Sequence, residues 1–198
     1  FIDELKITGL NFLLPDFTHD RLPTHNPIDY GVFMSDILEE WAKRDDPNIK
    51  IMFINSYLEV LLGGSHLNYG HGVSQNNQGE LHIFAIRGDG ALSPTDELMS
   101  TDPATVTHTN LSVFNSSLKE FLNLPIFKEL DYFFSNAPTS CKKCCWEKIC
   151  GGGTIVNRFS RSDRFNNPSV YCDGLKLFYT NLMQYLLNCG FSKEQLSR

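Results

Sequence analysis

The segment Cys141-Lys-Lys-Cys144-Cys145-Trp-Glu-Lys-Ile-Cys150-Gly151-Gly152-Gly153 constrains this chain more than any other. Two thiols at C-x-x-C spacing can bind one metal centre from a single turn. A third, six residues on, can close around it, and Cys172, 22 positions beyond Cys150, can complete a four-thiolate set. Glycine lets the backbone approach a bulky group and adopt positive φ, and a run of it follows Cys150 directly. Four-thiolate sets hold iron–sulfur clusters or structural zinc. Zinc sites of this kind usually show two C-x-x-C pairs, and here there is one. Disulfides are the third option that the residues leave open. Size demands none of them, since 198 residues can bury a core without staples. Cys145 and Cys189 fall outside the set and are expected to be small buried hydrophobes.

Charge and hydropathy narrow the class. The net charge is −6, from 17 Lys+Arg against 23 Asp+Glu, which excludes a strongly basic nucleic-acid binder. A hydrophobic content of 41% excludes a disordered chain. The most apolar window, Ile49 to Leu62, is interrupted by Lys50, Asn55, Ser56 and Glu59, so neither a span nor a membrane partner is expected. Residues 1–20 carry Asp3, Glu4, Asp16 and Asp20 and lack the basic start of a signal peptide. The expected compartment is the reducing cytoplasm, where clustered cysteines read as metal-binding or catalytic before they read as disulfides.

Local patterns predict an α/β beginning and an irregular end. Ile7 to Leu14 reads as a strand ended by Pro15-Asp16. Asn26-Pro27 offers a cap and a first helical residue, and Tyr30, Phe33, Ile37, Leu38 and Trp41 follow at helical spacing. Ile49 to Ile54 reads as a buried strand, then Ser56 and Glu59 as a capping box, with Gly63-Gly64 closing that helix. Residues 65–80 read as a boundary or surface loop. Leu81 to Ile86 and Ala91-Leu92 read as a hairpin turning at Gly88-Asp89-Gly90. Asn115 to Leu122 and Ile126 to Phe134 read as helices separated by Pro125. Asp173 is expected to cap a last helix carrying Leu175, Phe178, Leu182, Tyr185 and Leu186, which Gly190 ends.

Taken together, Cys141-x2-Cys144-x5-Cys150-Gly-Gly-Gly, Asn157-Arg158-Phe159-Ser160 and Phe165-Asn-Asn-Pro-Ser-Val-Tyr-Cys172 resemble the SPASM region of radical S-adenosylmethionine (SAM) enzymes. The resemblance is closest to peptide maturases that build cyclophane cross-links. Leu13-Leu14-Pro15-Asp16, Trp41, Ile51–Gly64 and Ile86-Arg-Gly-Asp-Gly-Ala-Leu extend it over most of the chain. It implies that residues 1–78 are the last β/α units of a partial TIM-like barrel, and that 79–198 form an α+β, cysteine-rich SPASM/twitch-like domain. It also implies one auxiliary [4Fe–4S] cluster held by Cys141, Cys144, Cys150 and Cys172, with Gly151 and Gly152 giving it room. A second auxiliary cluster is not expected, because its thiolate positions carry Thr154 and Pro94-Thr95-Asp96.

The SAM-binding C-x3-C-x2-C motif is missing: Cys141 and Cys145 have the first spacing, but Lys148 stands where the last cysteine is needed. With Phe1 at the start, SAM and its cluster are expected in a part that precedes these residues. The full chain would then be a radical SAM oxidoreductase that modifies a ribosomally made precursor peptide, served by a reductant protein. The auxiliary cluster would accept an electron or brace the substrate cleft. A non-catalytic, zinc-stapled protein-binding module is the alternative.

Other residues have milder readings. The resemblance implies that Asp96 stands where sulfatase-maturing relatives carry an aspartate acting as a base, but a turn or cap role suits Pro94-Thr-Asp-Glu better. His19, His25, His66 and His71 read as loop residues. Lys142, Lys143 and Lys148 either offset cluster charge or solvate a loop. Arg158, Arg161 and Arg164 are expected to form a solvated basic run.

Overall fold

The computed structural model describes residues 2–64, 84–107 and 109–196. In chain order its elements are α1 (Ile2–Leu5), β1 (Gly9–Leu10), α2 (Pro27–Arg44), β2 (Lys50–Ile51), α3 (Met52–Leu61), β3 (Phe84–Ile86) and β4 (Leu92–Pro94). They continue with α4 (Leu118–Leu122), α5 (Pro125–Ser135), α6 (Glu147–Cys150), α7 (Cys172–Asn188) and α8 (Lys193–Leu196). The chain divides into two compact units, residues 1–15, 24–71 and 171–198 in one and 16–23 and 72–170 in the other. The 78/79 boundary expected from sequence lies outside the described residues.

The first unit is built on a β-α-β unit. Strands β1 and β2 pair in parallel, Gly9 with Lys50 and Leu10 with Ile51, and α2 makes the connection. The Asn26 side chain accepts a hydrogen bond from the Ile28 amide, and Pro27 occupies the first turn, as the sequence predicts. Asp45 ends the helix in the left-handed conformation. Among the described residues the strands form two two-stranded sheets and no closed barrel.

Several expectations for this unit need correction. Of the Ile7–Leu14 strand only Gly9–Leu10 forms, as β1. The Ile49–Ile54 run gives only a two-residue strand, and α3 starts at Met52. A short apolar run does not by itself separate buried strand from buried helix. Ile54, Tyr57 and Leu61 lie at helical spacing, and all three are buried. Ser56 therefore sits inside the helix, buried, and cannot cap it. Asp173 likewise does not cap α7, which begins one residue earlier with Tyr171 at the cap position and no capping side chain.

Helix α7 packs on α2 through a pair of glycines. A Cβ built on Gly31 would overlap the Gly174 carbonyl, and one on Gly174 would overlap the Pro27 carbonyl. Beyond this crossing, Leu175, Phe178, Tyr179, Leu182 and Leu186 are buried. Phe178 meets Phe53 and Tyr57 with ring centroids 5.4 and 5.8 Å apart, the tilted geometry that aromatic quadrupoles favour. Helix α7 thus belongs with the first unit, although residues 72–170, which belong to the other unit, separate it from the preceding stretch of its own.

The second unit holds the expected hairpin over its described residues, while residues 65–83, with the expected loop and the start of the Leu81–Ile86 strand, lie outside them. Strands β3 and β4 pair antiparallel, Ile86 with Leu92, and Gly90 turns the chain at φ 82°. Pro125 is the first residue of α5 rather than a separator, and α4 begins at Leu118 rather than Asn115, with Ser117 and Glu120 forming a reciprocal capping box. The core gathers Leu92, Leu98, Phe121, Phe127, Ile155 and Phe165.

Candidate functional site

Three of the four expected ligands lie on consecutive turns of the second unit. The Cys141 amide donates to the Pro138 carbonyl (2.8 Å), and the Cys144 amide to the Cys141 carbonyl (2.9 Å). Cys150 closes the four-residue α6, its amide donating to the Trp146 carbonyl (2.8 Å). No disulfide joins any of the six cysteines; Cys141 is buried, and Cys144 and Cys150 are partly so. Cys172, also partly buried, heads α7 in the other unit.

The glycines behave as their position requires. Gly151, Gly152 and Gly153 have φ values of 57°, 97° and 84°, a region costly for residues with a Cβ. A Cβ on Gly152 would come within 2.5 Å of the Pro138 ring. The Gly153 amide returns to the Cys150 carbonyl (2.8 Å), and the Ser169 amide donates to the Gly152 carbonyl (2.8 Å). The loop after Cys150 is therefore tightly folded against the residues that precede Cys141.

The arginine run departs from expectation. Arg158 is buried, and it is the one charged side chain among the buried described residues. Its Nε donates to the Phe165 carbonyl (3.0 Å), and Nη1 donates to the carbonyls of Phe133 (2.9 Å) and Gly151 (3.4 Å). Nη2 donates to the Asn136 carbonyl (3.4 Å). Burial pulls its pKa down to about 10, and negative charge on Cys141 and Cys150 would oppose that pull. Arg164 forms a two-pronged pair with Glu129 (3.0 and 2.9 Å), and Arg161 alone is exposed. Sequence could not find this arrangement, because a basic run in a Gly- and Asn-rich segment looks the same whether it is solvated or buried.

Cys145 and Cys189 also differ from expectation, since both are exposed. Lys142, Lys143 and Lys148 face solvent. His19 is no free loop histidine: its Nε2 donates to the Pro168 carbonyl (2.8 Å). His66 and His71 lie outside the described residues.

Asp96 stands exposed on the first turn of a short 3-10 helix, Asp96–Ser100, within a carboxylate group that sequence reading missed. Burial pushes the Glu97 carboxyl above its ordinary range, and the charges of Asp16 and Asp96 push the same way. Asp16 is also raised, first by local shielding of its carboxyl and then by Asp96, with Arg21 opposing. A carboxyl whose folded pKa exceeds its unfolded one contributes stability at low pH, lost as pH rises through the folded value. Glu97→Gln is therefore expected to raise the thermal midpoint at neutral pH. The gain should shrink as pH falls below the ordinary glutamate range. A midpoint unchanged at both pH values would remove the repulsion argument.

Among the described residues, no three His, Cys, Asp or Glu side chains are placed to hold a metal ion. A single zinc needs its sulfurs about 2.3 Å from one point. A cluster relaxes that demand, because each thiolate binds a different iron. The donor chemistry suits such a group: three cysteines within ten residues, a glycine loop and a buried cation that reaches the Gly151 carbonyl.

No protein-family profile matches the chain. Native anSMEcpe with bound AdoMet superposes with a TM-score of 0.73 at 21% identity, covering 95% of this chain and 51% of that one. The chain shares its fold with about half of anSMEcpe. The native anSMEcpe structure with bound AdoMet and Cp18Cys peptide gives the same TM-score, 0.73, with the same coverage. Two curated relatives are the cysteine-type anaerobic sulfatase-maturating enzymes of Clostridium perfringens strains ATCC 13124 and 13. They are 23% and 24% identical over 165 residues, which cover 82% of this chain. The chain spans only 42% of the length of these relatives. The likeness supports the maturase part of the resemblance and lends nothing to its cyclophane-forming branch.

Proposed function

We propose that this chain is part of a radical SAM peptide maturase, the part that binds one auxiliary [4Fe–4S] cluster through Cys141, Cys144, Cys150 and, by sequence spacing, Cys172. The buried Cys141, with Cys144 and Cys150 on adjoining turns, is the observation that carries the reading. When bound, the group supplies an electron acceptor or a rigid brace. The chain's own residues set its surroundings. Gly152 lets the loop after Cys150 close on the Pro138 ring, and the Pro138 turn holds Cys141 in place. Asp96, exposed and flanked by Asp16 and Glu97, is the group we assign to accept a proton from substrate. The zinc-stapled alternative has less support, because the likeness is to sulfatase-maturating enzymes.

The substrate we assign is a peptide side chain, oxidised in a reaction that SAM cleavage initiates. Support comes from the likeness to sulfatase-maturating enzymes and from the fold shared with a protein solved with AdoMet and a peptide. Oxidative cross-linking rests on the cysteine motif alone. The C-x3-C-x2-C motif that binds SAM is not among these residues, and SAM binding is assigned to none of them. No helix among the described residues is long and apolar enough to cross a membrane, and thiolate-bound iron suits a reducing cytoplasm.

The test is an anaerobic assay of the full chain with SAM, a reductant and a cysteine-containing peptide. Brown protein absorbing near about 400 nm, SAM cleavage and an oxidised peptide are expected. Fragmentation of the peptide then separates one altered residue from two residues joined. Colourless protein with one bound zinc and no SAM cleavage would replace this reading with the binding module.

A further inference from the structure

Arg158 is a buried cation whose bonded partners are neutral. Its four acceptors are the backbone carbonyls of Phe133, Asn136, Gly151 and Phe165. Carbonyls satisfy guanidinium hydrogens, but they leave a desolvated positive charge uncompensated. Among the described residues, no carboxylate lies within ion-pair reach of it. Its Cδ lies 3.5 Å from where a Gly152 Cβ would stand, so negative charge on Cys141 and Cys150 would act on it. Its grip on Gly151 also ties it to the residue directly after one proposed ligand. Lys142, Lys143 and Lys148 are exposed, so water and salt weaken their effect on the same sulfurs.

We propose that Arg158 is the counter-charge of the thiolate site, a positioning residue that offsets the negative charge gathered by Cys141, Cys150 and the cluster they hold. This rests on the cluster reading above. A buried cation favours the more negative, reduced state of any group beside it and raises its midpoint potential. The same charge lowers the cost of bringing several thiolates together in a shielded place.

The test compares wild type, Arg158→Lys and Arg158→Gln in the anaerobically purified full chain. Thermal unfolding, iron content and the midpoint potential of the spectroscopic signal that Cys150→Ala abolishes are the readouts. Lysine keeps the charge but cannot reach all four carbonyls, so Arg158→Lys should retain iron and the wild-type midpoint. Arg158→Gln keeps hydrogen-bond donors without charge, and its midpoint should move to more negative values. A folded Arg158→Gln protein with unchanged iron and midpoint overturns the inference. So does a folded Arg158→Lys protein that loses its iron, since the carbonyl bonds and not the charge would then matter. If glutamine prevents folding, the lysine variant decides alone; if neither folds, Arg158 is a packing residue and the inference falls. Wild-type protein without iron refutes the cluster reading itself, before any variant is made.

Discussion

Cys150→Ala is expected to remove one cluster, about four irons per chain, from the anaerobically purified protein while leaving it folded. Cys150 ends α6, and its backbone bond to Trp146 does not involve the sulfur. Alanine is the best helix former, so the turn should survive the change. Gly151 follows in the left-handed conformation and still closes the turn. The loss should therefore appear in iron content and visible absorbance before it appears in secondary structure. Cys145→Ala is the matched control, since Cys145 is exposed and outside the proposed set. Iron unchanged in the Cys150 variant would end its assignment as a ligand. Equal loss in both variants would point to unfolding of the segment instead of lost ligation.

Gly174→Ala should produce the largest stability change. In a helix interior this substitution normally stabilises by about 1 kcal/mol. Here the new methyl would meet the Pro27 carbonyl, backbone that cannot rotate aside, and would crowd the Gly31 amide at 3.0 Å. The two helices must move apart, which loosens Phe178 and Leu182 from their packing. A destabilisation of about 3 kcal/mol, the upper end for overpacking, is expected. The measurement is denaturant unfolding of the full chain followed by circular dichroism. The sign is what matters: a stabilised Gly174→Ala protein would mean that the helices do not cross at these glycines.

Elements defined by neighbouring residues were legible in advance. The start of α2 follows from Asn26-Pro27, because a cap and a fixed φ act within one turn. The hairpin follows from Gly88-Asp89-Gly90, because only a tight turn joins strands of that spacing. The order of cysteines and glycines was legible for the same reason: ligand spacing and backbone freedom are properties of a short segment.

What the sequence determined by itself, then, was the local grammar of α2, of the hairpin and of the Cys141–Gly153 loop. Tertiary structure alone decided where the rest would lie. It placed α7 on α2, turned the apolar run at Met52 into helix, and left Cys145 in solvent. It also enclosed Arg158 while leaving Arg161 exposed. Burial is a property of everything that surrounds a side chain. Arg158 is held by carbonyls up to 25 residues away in sequence, and no window around it contains the information that a charge there would be shut off from water.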